Sequence, residues 1–244
     1  MNRARHIIHL LNEILFEAGE SPGRMELVHT SLATAREFAE KAFKDNGKDL
    51  DKEIPNFDRN YQLAQRIAGT GWMARRDMPV IEIEQVKVFQ NRLEQGYIDI
   101  NAPLAPATIA TGSPFPEGLS NEKAKEWLEN GLKDNSIPDD QVRVESLWAQ
   151  AEDLKPIQKQ IYFDKAIEAT AKFGVEGTKS FIQNQSLTVA SADYYIIDGH
   201  HRWLSSLLIN PGMTIKGVKI SLPIDKLLPL AKSYSDAVGN PRNA

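Results

Sequence analysis

Residues 194–203 read YYIIDGHHRW, from Tyr194 to Trp203. Four bulky residues that favour a strand run into an acid, a glycine, two histidines and an arginine, and apolar residues then resume to Leu208. The pattern predicts a strand, a sharp turn at Gly199, and a helix over HHRWLSSLLIN closed by Asn210 and the Pro-Gly that follows. A helix start exposes backbone N–H groups and a partial positive charge, so it is a natural place for an anion. Ordinary helices favour acids in the first turn. Here His200, His201 and Arg202 stand there, each costing about 0.3–1 kcal/mol if charged. A bound anion reverses that sign, and phosphate is the simplest candidate. Asp198, at the strand end, is then placed to hold a divalent metal or to orient a histidine. The plainer alternative has Asp198 capping the helix and pairing with Arg202, with one histidine packed against Trp203.

Working outward, SLTVA predicts a strand, SADY a turn, IKGVKISL a strand, and PIDKLLPLAKSYSDAVG a last helix. Pro223 suits the first turn of that helix and Pro229 kinks it. Upstream, QVRVESLWA alternates as a strand, and PIQKQIYFDKAIEATAKFG reads as a helix from Pro156 to Gly174. The order from 141 is β-α-β-β-α-β-α, which makes the class mixed α and β. Before it, helices are expected over 1–19, 31–44 with Thr30 or Ser31 as cap, and 57–68. A short strand is expected at Ile81–Ile83, then a helix from Glu84 to Glu94 stopped by Gly96. The stretch 101–119 holds four of the thirteen prolines and reads as a linker. SNEKAKEWLENGL follows as a helix capped by Ser120, with Trp127 and Leu128 as anchors and Gly131 as stop. Three domains follow: a helical region 1–100, a linker with a short helix over 101–140, and a mixed domain over 141–244.

Composition narrows the function. The chain has 244 residues, a net charge of −4 and no cysteine. The missing cysteine removes disulfides, thiolate metal sites and a cysteine nucleophile. Residues 151–244 carry 11 Lys/Arg and 9 Asp/Glu, a net of +2, and the rest is −6. Neither part has the basic balance of a non-specific nucleic-acid binder, which disfavours DNA without removing a local patch. No apolar run approaches the ~20 residues of a membrane helix. The N-terminus begins like a secretion signal, but Asn12, Glu13 and Glu17 interrupt it, so the protein is read as cytoplasmic. His6 and His9 have metal-compatible spacing but no third ligand nearby.

The Asp198-Gly199-His200-His201-Arg202 run, preceded by YYII, resembles the signature of the ParB/sulfiredoxin-like superfamily. The resemblance covers roughly 142–238 and is nearest to ParB-like proteins of tailed bacteriophages, in which a Pro-x-Gln helix precedes DGHHR. If phage-encoded, the protein would act in host cytoplasm. The resemblance implies an α+β fold: a small mixed sheet with flanking helices, here joined to the mainly helical N-terminal region. It also implies phosphate chemistry. Family members bind and hydrolyse CTP, phosphorylate a sulfinic acid with ATP, or phosphorylate free serine with ADP or ATP. Carried over, Gly199, His200, His201 and Arg202 contact phosphates. Asp198 is the acidic residue that DGHHR-type kinases use in catalysis. In the expected reaction His200, His201 and Arg202 are catalytic by neutralising charge on the phosphoryl oxygens, and Asp198 organises Mg²⁺ or the acceptor. Lys165, in an Asp-Lys pair with Asp164, reaches a phosphate.

There are departures. His200 stands where sulfiredoxin needs cysteine, which excludes sulfinic acid repair. Gln158 stands where the serine kinases have a glutamate base, and an amide does not accept a proton as a carboxylate does. Either another acid serves, with Asp164 and Glu168 as the candidates on the same expected helix, or the reaction needs no base. Gln158 and Gln160 are candidates for a substrate or purine edge, facing different sides of the expected helix. Classical ParB carries a basic Gly-Glu-Arg-Arg form in place of DGHHR and a helix-turn-helix after it, and SYSDAVGNPRNA is not expected to form one.

The expected function is therefore a nucleotide-dependent phosphotransferase or NTP hydrolase using ATP, ADP or CTP with Mg²⁺ and an unnamed acceptor. Two alternatives stand beside it. One is a ParB-like DNA-binding or nuclease module. The other is an interaction protein with a helical arm for oligomers and a vestigial pocket. Arg75-Arg76-Asp77 is a weaker phosphate candidate. Trp72, Trp127, Trp148 and Trp203 are expected in the core. Ser233, Tyr234, Ser235 and Asn240 are placed over the pocket.

Overall fold

Phe163 shows how the structure, a computed structural model, builds its first core. Its ring meets Tyr61 edge-on at 5.1 Å between centroids, Phe57 at 6.1 Å and Phe38 at 6.3 Å. Those partners come from two helices that the sequence places correctly, α1 (Leu32–Asp45) and α3 (Phe57–Ala68). Ser31 caps α1 by accepting from the Thr34 N–H, as the cap rule anticipates. The residues described are 24–102, 121–133, 137–184 and 188–240. The expected helix at 1–19 with His6 and His9, most of the proline-rich stretch, and Ser120 lie outside them.

The chain is a mixed α and β protein. Five strands form one sheet: β1 (Val144–Gln150), β2 (Lys155–Pro156), β3 (Thr188–Ser191), β4 (Tyr195–Asp198) and β5 (Thr214–Ile220), in the order β1-β5-β3-β4-β2. β3 and β4 are antiparallel, with Val189 opposite Asp198, Ala190 opposite Ile196, and a bulge between them. The remaining described helices are α2 (Leu50–Glu53), α4 (Ile83–Glu94), α5 (Asn121–Trp127), α6 (Ile137–Asp140), α7 (Phe163–Asn184), α8 (His200–Ile209) and α9 (Ile224–Ala237). No helix among the described residues is long and apolar enough to cross a membrane.

By compactness the chain divides into two units. One takes the described residues up to Ala74, Leu147–Thr188 and Gly199–Gly217. The other takes Arg75–Ser146, Val189–Asp198 and the residues from Val218 on.

In the first unit α8 is the central element. All but its last residue are buried, from His200 to Leu208. Such a helix is covered on every side, and its polar groups must find partners within the fold. Trp203 is fully buried and donates Nε1–H to the Ala151 carbonyl at 2.8 Å. Asn60 of α3 donates to the Leu208 carbonyl at 2.8 Å, satisfying the C-terminal end. Ser205 reaches the Ala166 carbonyl of α7 at 3.3 Å.

Two expectations need correction in this unit, and a third is incomplete. The helix expected from Pro156 begins only at Phe163. Residues 157–162 are extended: Trp72 and Met73 donate to the Ile157 carbonyl and Leu27 donates to that of Ile161, while Phe163, at the helix start, donates to that of Met25. A helix does end at Gly174, which sits at φ +76°, but a second one not expected from the sequence starts at once, so α7 is two helices joined across a kink. Lys48 supplies the cap for the first half, donating to the Ala171 carbonyl at 2.8 Å, and Glu53 accepts from the Val175 N–H at 3.2 Å to start the second. Trp72 and Trp148 are not core residues: they are 43% and 63% exposed, with Lys216 Nζ lying 4.7 Å from the Trp148 ring centre. Trp203, and Trp127 in the second unit, are buried as expected.

The second unit holds α4 against α9. Phe89 stacks on Tyr234 at 4.5 Å, and the Tyr234 hydroxyl donates to the Gln85 carbonyl at 3.2 Å. Burial pushes the Tyr234 phenol pKa up from its ordinary value. The expected strand at Ile81–Ile83 is absent. Glu82 and Gln85 form a reciprocal capping box, which starts α4 at Ile83 instead. Ser235 accepts from the Val80 N–H at 3.1 Å and Asn240 donates to the Val80 carbonyl at 2.6 Å. Residues 234, 235 and 240 thus tie down the entry to α4, where they had been expected over a pocket. Asp193, in the β3–β4 turn, accepts the Ile224 N–H at 3.1 Å and so starts α9, while Pro229 is carried inside that helix.

Candidate functional site

Gly199 sits at φ +105°, a conformation that L residues with a side chain rarely adopt. That freedom lets the chain leave β4 and enter α8 without an intervening loop. The first intrahelical bond runs from the Trp203 N–H to the Gly199 carbonyl at 2.8 Å. The N–H groups of the first turn therefore point out of the helix end. No acid stands in that turn.

The side chains of the first turn divide into two roles. His200 and His201 are buried, and both use Nε2 as an acceptor. His200 Nε2 takes the Gln158 N–H at 3.3 Å, and His201 Nε2 takes the Tyr162 N–H at 3.2 Å. His201 also lies nearly parallel to the Tyr162 ring at 6.0 Å. A ring nitrogen that accepts an N–H carries no proton, so the hydrogen-bond pattern assigns both imidazoles as neutral, with the proton on Nδ1. They fasten the extended 157–162 segment to α8. Sequence reasoning counted three cations at this helix end; the fold leaves one, Arg202.

Arg202 is 3% exposed. Its guanidinium packs over Gly199: a Cβ added there would stand 3.0 Å from Arg202 Nη2 and 3.3 Å from Nε. The same Cβ would stand 2.9 Å from Thr188 Oγ1. Glycine is therefore required at 199 both for its backbone angle and for this close approach. Thr188 is a residue that the sequence reading missed. Its only signal was positional, because Val189 opposite Asp198 sets Thr188 next to Gly199. Asp198 closes β4 and is half-buried.

The other expected site residues fall in several places. Lys165, in the first turn of α7, is 2% exposed. Its neighbour Asp164 is used structurally. One carboxylate oxygen accepts from Arg24 at 2.9 Å and the other from the Met25 N–H at 3.1 Å. An acid occupied on both oxygens is poorly placed to take a substrate proton. Glu168 lines an open cleft with Phe38, Lys41, Ala42, Asp45, Asn46 and Lys172, which includes none of residues 198–202. Desolvation and then the charge of Asp164 push its carboxyl pKa up, while Arg24 pulls it down. Gln158 is buried on the extended segment, and its side-chain amide donates to the Gln160 carbonyl. The two glutamines are thus on a strand-like stretch and not on a helix. Arg75 is buried in a short 3₁₀ turn of the second unit.

Among the described residues no group of three or more His, Asp or Glu side chains is arranged to hold a metal. A single carboxylate remains compatible with Mg²⁺, which keeps several waters and is commonly held by one or two carboxylates together with substrate phosphates. Comparison with protein-family models, curated proteins and solved structures returned no match.

Proposed function

We propose that the protein is a nucleotide-dependent phosphotransferase or nucleoside triphosphate hydrolase, with the ParB/sulfiredoxin-like arrangement that Asp198–Arg202 resembles. The observation that carries this reading is Arg202: a buried guanidinium packed on a glycine at the acid-free start of a helix. The unpaired backbone N–H groups of a helix start suit an anion, and an arginine packed beside them offers a donor fork that matches phosphate. The run of strand, turn, strand, glycine, helix, strand and helix from Thr188 to Ala237 supports the family resemblance.

In this reading the backbone N–H groups at the start of α8 and the Arg202 guanidinium bind the phosphates of ATP, ADP or CTP. Lys165 is the second cation. Asp198 is the carboxylate for Mg²⁺, which supplies charge neutralisation on the phosphoryl oxygens. His200 and His201 act through the segment they hold, with no direct charge on the phosphate. Phosphoryl transfer depends mainly on positioning and electrostatic stabilisation, and these groups are chemically sufficient for it. Asp164 and Glu168 are set aside as bases, and the acceptor stays unnamed. The burial of Gly199–Arg202 and the net charge of −4 argue against a duplex backbone, which needs an exposed basic face.

The test is a thermal-shift panel of ADP, ATP and CTP, each with Mg²⁺. A ligand at 100 times its dissociation constant stabilises by about 2.7 kcal/mol. The shift is expected for wild type and lost in Arg202→Met. No shift with any nucleotide, or an equal shift in that variant, would contradict the reading.

A further inference from the structure

We propose that the Thr188 hydroxyl is a ligand of the bound phosphate, a role that no motif in the sequence assigns to it. The inference rests on reading the start of α8 as a phosphate site. Thr188 opens β3 and is wholly buried, yet its Oγ1 has no hydrogen-bond partner among the described residues. Buried hydroxyls are nearly always paired, and an unpaired one destabilises the fold that carries it.

Its position supplies the explanation. A Cβ on Gly199 would stand 2.9 Å from Thr188 Oγ1 and 3.0 Å from Arg202 Nη2, so hydroxyl and guanidinium flank the same glycine at the helix start. The strand is also held from behind. A Cβ on Gly217 of β5 would collide with the Thr188 carbonyl, so glycine at 217 is what lets the two backbones close together there. Thr188 is fixed in place, with its hydroxyl beside Gly199 at the start of α8. A phosphate oxygen docked there accepts the hydroxyl proton in a charge-assisted hydrogen bond, stronger than a neutral one. Thr188 then joins Arg202 and the helix N–H groups as the third component of the site.

The experiment compares wild type, Thr188→Val and Thr188→Ser, using inorganic pyrophosphate and ADP as probes in thermal-shift and calorimetric titrations. Valine keeps the shape and removes the hydroxyl. The expected result has two opposite signs. Ligand-free Thr188→Val melts higher than wild type, because an unpaired buried hydroxyl is gone. The same variant binds pyrophosphate about tenfold or more weakly, the scale of a lost hydrogen bond to a charged group. Thr188→Ser keeps wild-type affinity. If valine is not accommodated, Thr188→Ala provides the affinity comparison. Pyrophosphate binding unchanged in the valine or alanine variant would overturn this inference and leave the Arg202 reading standing. Failure of wild type to bind pyrophosphate or ADP at all would overturn both.

Discussion

Replacing His201 separates its two conceivable roles, because lysine keeps a positive charge and glutamine keeps an acceptor. In the structure His201 Nε2 accepts the Tyr162 N–H at 3.2 Å with both residues buried. Lysine has no acceptor, so His201→Lys leaves that N–H unsatisfied at about 1–3 kcal/mol and adds a buried charge. Its total cost is about 3 kcal/mol or more. Glutamine retains a carbonyl oxygen and a similar reach. It loses mainly ring packing on Tyr162, centred 6.0 Å away, and costs about 1 kcal/mol. A kcal/mol corresponds to roughly 2–4 °C in a chain of this size, so calorimetry should place the lysine variant about 6–12 °C below wild type and the glutamine variant within about 4 °C. A lysine variant as stable as wild type, with glutamine far below it, would refute the assignment of a neutral, structural imidazole.

Two further outcomes follow from the same geometry. Gly199→Ala forces a side chain to φ +105° and against Thr188 and Arg202, at about 2–4 kcal/mol, and urea unfolding should show it as a lower midpoint with an unchanged slope. Glu168 has a raised pKa in the fold, so its ionised form is disfavoured there above both the folded and unfolded values, and that penalty is relieved as pH falls through the folded value. Glu168→Gln should therefore be slightly more stable than wild type at pH 8, by roughly 0.5 kcal/mol or less for so exposed a group, and indistinguishable from it below about pH 4. Melting curves across that range check the sign.

The elements around the site were legible where local chemistry decides them. The strand residues of Tyr195–Asp198, the turn at Ala192–Asp193 and the glycine before His200 each carry their own signal, and β4, α8, β5 and α9 appear where the sequence puts them. The segment 157–162 reads as helix in the sequence because nothing local makes it extended. Its bonds and that of Phe163 after it come from Trp72, Met73, Met25 and Leu27, about 85 to 140 positions away in the chain, and from the two imidazoles. Gly174 reads as a helix end and is one, while the caps from Lys48 and Glu53 that let a second helix start there are visible only in three dimensions. The motif itself was legible, but the protonation of its histidines was not, since that depends on which backbone groups face them. Thr188 could have been found by counting back from the hairpin turn, had the bulge between Val189 and Ala190 been foreseen.

The most direct test of the central claim is to follow the backbone amide resonances while ADP and Mg²⁺ are added to the ¹⁵N-labelled protein. Docking of a phosphate at the start of α8 predicts that the largest shifts fall on Gly199, His200, His201 and Arg202, with Thr188 among the residues that move. Shifts confined to other parts of the chain, or none at saturating nucleotide, would contradict it.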